Sequence, residues 1–156
     1  MNAEPLLTRV AASLASARLE AVLIGNAAAA IHGAPVTTLD FDFMFRSTPL
    51  NLTKLKRFAM QLDAVILRPY YPISKLYRVV NEDRGLQVDF MPVIHGVKSL
   101  PSLRSRASQM KVGGRQLWVA DLADVIASKR AVGRPRDKAV LEILENTLRE
   151  KNKAKS

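Results

Sequence analysis

The chain has 156 residues, 48% of them hydrophobic, and a formal charge of +10 from 24 Lys and Arg against 14 Asp and Glu, with no cysteine. That length suits one domain with a sizeable core, the apolar share excludes a disordered chain, and the missing cysteines exclude disulfides and thiolate metal sites while fitting a reducing compartment. The opening MNAEPLLTRVAASLASARLE, with charges at Arg9, Arg18 and Glu20, lacks the basic start and unbroken apolar run of a signal peptide, and no stretch approaches membrane-span length, so the expectation is a soluble, cytoplasmic protein.

In chain order, Leu6, Leu7, Val10, Ala11 and Leu14 form a helical stripe within 4–18, and EAVLI at 20–24 reads as a short strand. GNAAAAIHG follows. Gly25 permits a tight turn, Asn26 is a good N-cap, the alanines favour helix, and Gly33 with Pro35 ends it. A strand is expected at 38–46, then an amphipathic helix at 51–62 with Leu52, Leu55, Phe58 and Leu62 on one side. Strands follow at 64–68, 75–81 and 86–93, the last two joined by the hairpin turn NEDRG. A short helix at 102–109 precedes a second hairpin, KVGGRQLWV, turning at Gly113 and Gly114. Asp121 caps a helix at 122–132, and Pro135 opens a last helix to about residue 150.

This order predicts an α+β (mixed α/β) fold: a mixed sheet with helices packed on one side and a helical C-terminus. Residues 1–150 form the single domain, and 151–156, KNKAKS, are expected to be a basic, frayed and disordered tail. The other basic residues gather at 98–115 and 129–138, and such an excess attracts polyanions.

The stretch TTLDFDFMF, 37–45, places two acids in an apolar strand. Alternate strand residues share a face, so Asp40, Asp42 and Met44 point one way and Leu39, Phe41, Phe43 and Phe45 the other, into the core. Burying carboxylates is costly without a partner, and a like-charged pair this close calls for a cation between them. Mg²⁺ (or Mn²⁺) suits the need, since it takes a few carboxylate oxygens and leaves positions for water and phosphate. In LQVDFMPV, Asp89 alternates against Leu86, Val88 and Phe90. If that strand lies beside 38–46, Asp89 joins Asp40 and Asp42 as a metal ligand, and three acids on two strands match a two-metal phosphoryl-transfer site. Gly25 and Asn26, at a strand-to-helix junction just upstream, offer backbone donors for phosphate.

Gly25-Asn26, Asp40-Phe41-Asp42 and Asp89 together resemble the nucleotidyltransferase superfamily typified by DNA polymerase beta. IGNAAAAIHGAPVTTLDFDFMF and LADVIASKRAVGRPRDKAVLEIL resemble its bacterial AbiEii/AbiGii toxin-type branch, over most of residues 20–145. There a lysine follows a helix of the L-x-D-L-I kind, and an R-x-x-D segment opens the next. Two departures stand out: Asn26 where the family usually has serine, and Val36 where many relatives have arginine. An asparagine amide still donates to phosphate.

The resemblance implies transfer of a nucleoside monophosphate from an NTP, with ATP one candidate, to an RNA (possibly tRNA) or protein hydroxyl, and a toxin with an antitoxin protein as partner. It implies that Asp40 and Asp42 hold the metal, that Asp89 helps to activate the acceptor, and that Lys129 reaches the triphosphate with help from Arg130, Arg134 or Arg136. Asp137 would position Lys129 or Arg134. His32 reads as a cap or packing residue, His95 as a turn residue, and Trp118 as core. Tyr70 and Tyr71, between Pro69 and Pro72, read as loop aromatics able to stack on a base. The alternatives are a nucleotide- or nucleic-acid-binding module of the same fold with weakened catalysis, and a basic partner-binding protein whose acids are structural.

Overall fold

The computed structural model describes residues 4–38 and 40–155. Its centre is an aromatic layer. Strand β2 (Phe41–Phe45) and strand β5 (Leu86–Met91) run side by side in parallel, and their inward positions carry Phe41, Phe43, Phe45 and Phe90, all fully buried. The Phe43 and Phe90 rings stack with centroids 5.4 Å apart, and Phe58 from helix α3 (Pro49–Gln61) meets Phe90 edge-on at 5.2 Å. Truncating one such ring to alanine costs roughly 3–5 kcal/mol.

The remaining elements build outward from that layer. Strand β1 (Ala21–Ile24) pairs antiparallel with β2, and strand β4 (Tyr77–Asn81) pairs antiparallel with β5. Strand β3 (Val65–Leu67) forms one edge beside β4, and strands β6 (Ser108–Val112) and β7 (Arg115–Val119) complete the other, with β7 parallel to β1. The order is β3-β4-β5-β2-β1-β7-β6, a mixed seven-stranded sheet. Helix α1 (Glu4–Ala17) packs on α3 over the phenylalanine side. Helix α2 (Gly25–Ile31) leads directly out of β1 and packs on helix α5 (Leu122–Val132), which walls the opposite side. Helix α4 (Leu100–Arg106) and helix α6 (Lys138–Lys155) complete the chain. This is the mixed α/β sheet with a helical C-terminus that the element order predicts, with α5 as an added wall beyond the expected helical side.

Local chemistry sets several boundaries. Thr48 caps α3 by accepting from the Asn51 N–H at 3.2 Å, with Pro49 in the first turn, and Asp121 caps α5 through the Ala123 N–H at 3.2 Å. The acidic strand begins at Phe41, not at 38, because α2 leaves the sheet at Gly25 and Ile24 is the last β1 residue available to pair. Asp40 therefore sits in the bend before β2, where the Thr38 hydroxyl donates to its carbonyl at 2.6 Å, while Leu39 lies outside the described residues. The last helix runs on to Lys155, so residues 151–155 are helical where a solvated tail is expected. Lys151 Nζ reaches His32 Nδ1 at 2.7 Å, and His32 Nε2 donates to the Ala120 carbonyl at 2.8 Å. That clasp ties α6 to the end of α2. Among the described residues no helix is long and apolar enough to cross a membrane.

Candidate active site

The sheet registers bring distant residues into one row. Ile24 lies opposite Asp42, Asp42 opposite Asp89, and Asp89 opposite Arg78. Directly paired strand residues face the same way, so Asp42, Asp89 and Arg78 share the face away from the phenylalanine layer. The strand-parity expectation for Asp42 and Asp89 thus matches the geometry, and pairing of β2 with β5 supplies the proximity.

The two acids have different surroundings. Asp42 makes no ion pair with any described residue. Burial, then the nearby charges of Asp89 and Asp40, push its carboxyl up to about 6. Asp89 is buried at 7% exposure and is held by Arg78, whose Nε donates to one carboxylate oxygen at 3.0 Å and whose Nη2 donates to the other at 3.1 Å. The Tyr70 ring lies near Arg78, with its centroid 5.8 Å from the guanidinium carbon.

Gly25 holds the other flank. Its φ is +69°, and a Cβ there would stand 2.9 Å from Asp42 Oδ2, so only glycine gives both the turn and the room. Asn26 does not cap α2, since the N-cap position is Ile24 without a side-chain bond. The Asn26 side-chain carbonyl oxygen is instead buried without a hydrogen-bond partner, beside the cleft that Asp40 and Asp42 line. A half-turn of the amide would put its NH₂ in the same place.

Two cavities meet at Asp42. One, of about 690 Å³, runs past Asp89 and Arg78 to Tyr70, Ile73, Val93 and His95. The other, of about 490 Å³, is lined by Asn26, Thr37, Thr38, Asp40, Arg136 and Asp137. Asp42, Lys129 and Arg134 line both. Lys129 therefore reaches the acids from far along the chain. Burial in α5 lowers its pKa, against the pull of Asp137 and Asp42. Buried Asp137 holds Arg134 through an Nε–Oδ2 bond of 2.8 Å. Arg130 turns to Glu145 on α6 at 2.5 Å.

Other side chains have plainer settings. His95 lies in an exposed turn at the rim of the larger cavity. Trp118 is half-buried beneath Arg104, whose guanidinium carbon is 3.7 Å from the ring centroid. Val36 packs against the core. Among the described residues no group of three or more His, Cys, Asp or Glu is arranged to hold a metal ion, and Asp89 is turned to Arg78. Arg78 was absent from the sequence-derived set. Its signal was present: with NEDRG as a hairpin turn, counting back along the strand places Arg78 opposite Asp89.

No family model matches the chain, and no curated protein matches it. Among solved structures, the chain is similar to the antibiotic-resistance factor ANT(2″)-Ia, whose solution structure shows substrate-regulated conformational dynamics. The TM-score is 0.57 at 11% identity, covering 96% of this chain and 92% of that one. At that identity the likeness shows the fold, which is nucleotidyltransferase-like.

Proposed function

We propose that the chain is a metal-dependent nucleotidyltransferase that moves a nucleoside monophosphate from an NTP to a hydroxyl of RNA, tRNA included, or of a protein. The observation that carries this reading is the in-register pair Asp42 and Asp89 at a cleft that Lys129 also lines. The nucleotidyltransferase-like fold supports it.

A divalent cation fits the donor set. Asp42 is largely buried, lacks an ion-pair partner and has a raised pKa, and the unpartnered Asn26 oxygen lies at the same cleft. Asp40 and Asp42 would hold Mg²⁺ or Mn²⁺, which when bound neutralises charge developing on the phosphate oxygens. Lys129, Arg134 and Arg136 attract the triphosphate into the smaller cavity, with Asp137 keeping Arg134 in place. Gly25 leaves the backbone open to phosphate, and the Asn26 amide donates to it. The acceptor occupies the larger cavity. Its hydroxyl oxygen attacks the α-phosphorus, the bond to the β-phosphate oxygen breaks, and pyrophosphate leaves. Asp89 takes the hydroxyl proton on a lone pair that Arg78 leaves free, since a carboxylate offers about four such sites.

The charge of +10 favours an RNA acceptor. The AbiEii-type resemblance adds a role as the toxin of a pair, restrained by an antitoxin protein. Incubation with each labelled NTP, Mg²⁺ and either total RNA or RNA-free cell extract tests the reading. Label is expected in RNA, and label in protein alone would move the acceptor to a protein hydroxyl. No label in either, from intact folded protein, would refute transfer. A second reading, a nucleotide-binding module without turnover, is favoured by one observation: Arg78 engages both oxygens of Asp89. It expects NTP binding with no NTP consumed.

A further inference from the structure

The row of Asp42, Asp89 and Arg78 bears on how many cations the cleft takes. A site with three free acids has room for two divalent ions. Here the third acid is already compensated. Arg78 sits directly across the strand pair from Asp89 and meets it with two parallel N–H···O bonds, at 3.0 and 3.1 Å. This forked, charge-assisted geometry is the strong form of the interaction. Side-chain exposure is only 23% for Arg78 and 10% for Asp89, so water does little to loosen the pair. The Tyr70 ring adds a cation–π contact to the guanidinium, at 5.8 Å.

We propose that Arg78 stands in for a second divalent cation, so that the cleft binds one ion, on Asp40 and Asp42, while Asp89 is served by arginine. The inference rests on the transferase reading above. Pairing supports it: among the described residues Arg78 is the one cation that forms an ion pair with any of the three acids, so Asp40 and Asp42 are the two left unpaired for a single divalent ion. A second ion at Asp89 would have to displace the guanidinium from its acceptor oxygens or sit against its positive charge. Neither Asp40 nor Asp42 makes an ion pair with a described residue, and Lys129, which shares their cleft, acts on Asp42 by charge without such a contact. Asp89 then serves the acceptor hydroxyl rather than the metal.

The test counts ions without turnover. Mn²⁺ is titrated into the chain saturated in turn with the α,β-methylene analogues of ATP, GTP, CTP and UTP, and bound ion is measured by electron paramagnetic resonance. The wild-type chain is expected to take one ion per bound nucleotide. Arg78→Met frees Asp89 and is expected to take a second, at least tenfold tighter than any second ion in wild type. Adding Asp89→Asn to that variant returns the count to one. Arg78→Lys, which keeps the charge, stays at one. Two tight ions in wild type would overturn the proposal and leave the transferase reading intact, as would a folded Arg78→Met that stays at one. No ion in wild type with any analogue would remove the metal-dependent reading and this proposal with it. Circular dichroism checks folding, and if Arg78→Met does not fold, the wild-type count and the Arg78→Lys count decide.

Discussion

The two cavities that meet at Asp42 are built from opposite materials. The smaller is lined by Asn26, Thr37, Thr38, Asp40, Arg134 and Arg136, all polar or charged. The larger mixes charged residues, among them Asp89, Arg78, Lys75 and Asp124, with exposed apolar and aromatic ones: Ile73, 97% exposed, Val93, 77% exposed, and Tyr70. Cationic and amide donors suit phosphate, whereas an apolar rim suits a group with flat or greasy surface. On the proposed transferase reading, the donor nucleotide would take the polar side and the acceptor the other, with Asp42 common to both.

The largest expected effect follows from changing that common residue. Asp42→Asn should lower transfer by on the order of 10³-fold or more, because it touches both halves of the reaction. It should also stabilise the metal-free protein. Raising a carboxyl from 3.8 to about 6 is worth at most about 3 kcal/mol at neutral pH. The folded pKa is the raised one, so the wild type has its full stability at this group below pH 3.8 and loses it as pH rises through about 6. Melts across that window should show Asp42→Asn pulling ahead of wild type. Mn²⁺ with NTP should raise the wild-type Tm and leave the variant nearly unmoved. A variant that melts lower at every pH, with its metal response intact, would make Asp42 a structural acid.

Lys129→Ala should separate the two sides less sharply, because Lys129 lines both. The expected outcome is a KM for NTP raised about 10–100-fold, or about 1.4–2.7 kcal/mol, with circular dichroism and Tm close to wild type. An equal rise in the acceptor KM would erase the division of labour. Ile73→Ser with Val93→Ser probes the apolar rim. These exposed changes should alter stability by less than about 0.5 kcal/mol. They should raise the acceptor KM roughly three- to tenfold and leave the KM for NTP alone, and a change in the NTP term instead would reverse the assignment.

The smallest effect concerns the frame of the polar side. His32 is kept neutral chiefly by burial, which lowers its pKa from 6.5 while it bridges Ala120 and Lys151. A lowered pKa gives stability that is present above pH 6.5 and lost as pH falls through the folded value. Thermal melts should fall by on the order of 2 °C on acidification through that range. His32→Gln should flatten this drift, and an unchanged slope would show that the clasp does not set it.

Much of this was legible in the chain. Phe41, Phe43 and Phe45 alternating with Asp42 and Met44 define β2 and its two faces without any partner. The same parity fixes Asp89 against Phe90. Asp121 and the glycine pair Gly113-Gly114 mark their caps and turns because those signals act within a few residues. Asp40 was misjudged, since alternation continues past the point where β1 can still pair, and pairing is not a local property. The tail was misjudged for a related reason. KNKAK has little helical amphipathicity of its own, yet α6 extends through it, where Lys151 meets His32. Arg78 was within reach of hairpin counting. What hid it is that a single arginine on a strand has no meaning until its partner strand is known.

The parallel pairing of β2 with β5 has a consequence for how the protein comes into being. Parallel neighbours cannot be joined by a tight turn, and here α3, β3 and β4 all intervene. Asp42 and Asp89 therefore stay strangers during the early, local steps of folding, when helices and the β4–β5 hairpin form. They meet only when a long loop closes, the slow kind of event that dominates high-contact-order chains. A nascent chain released before β5 would carry Asp40, Asp42 and Gly25 but no Asp89 and no Lys129. Assembly of the candidate site is thus a late step of folding: a half-made molecule holds some of its residues and none of their arrangement.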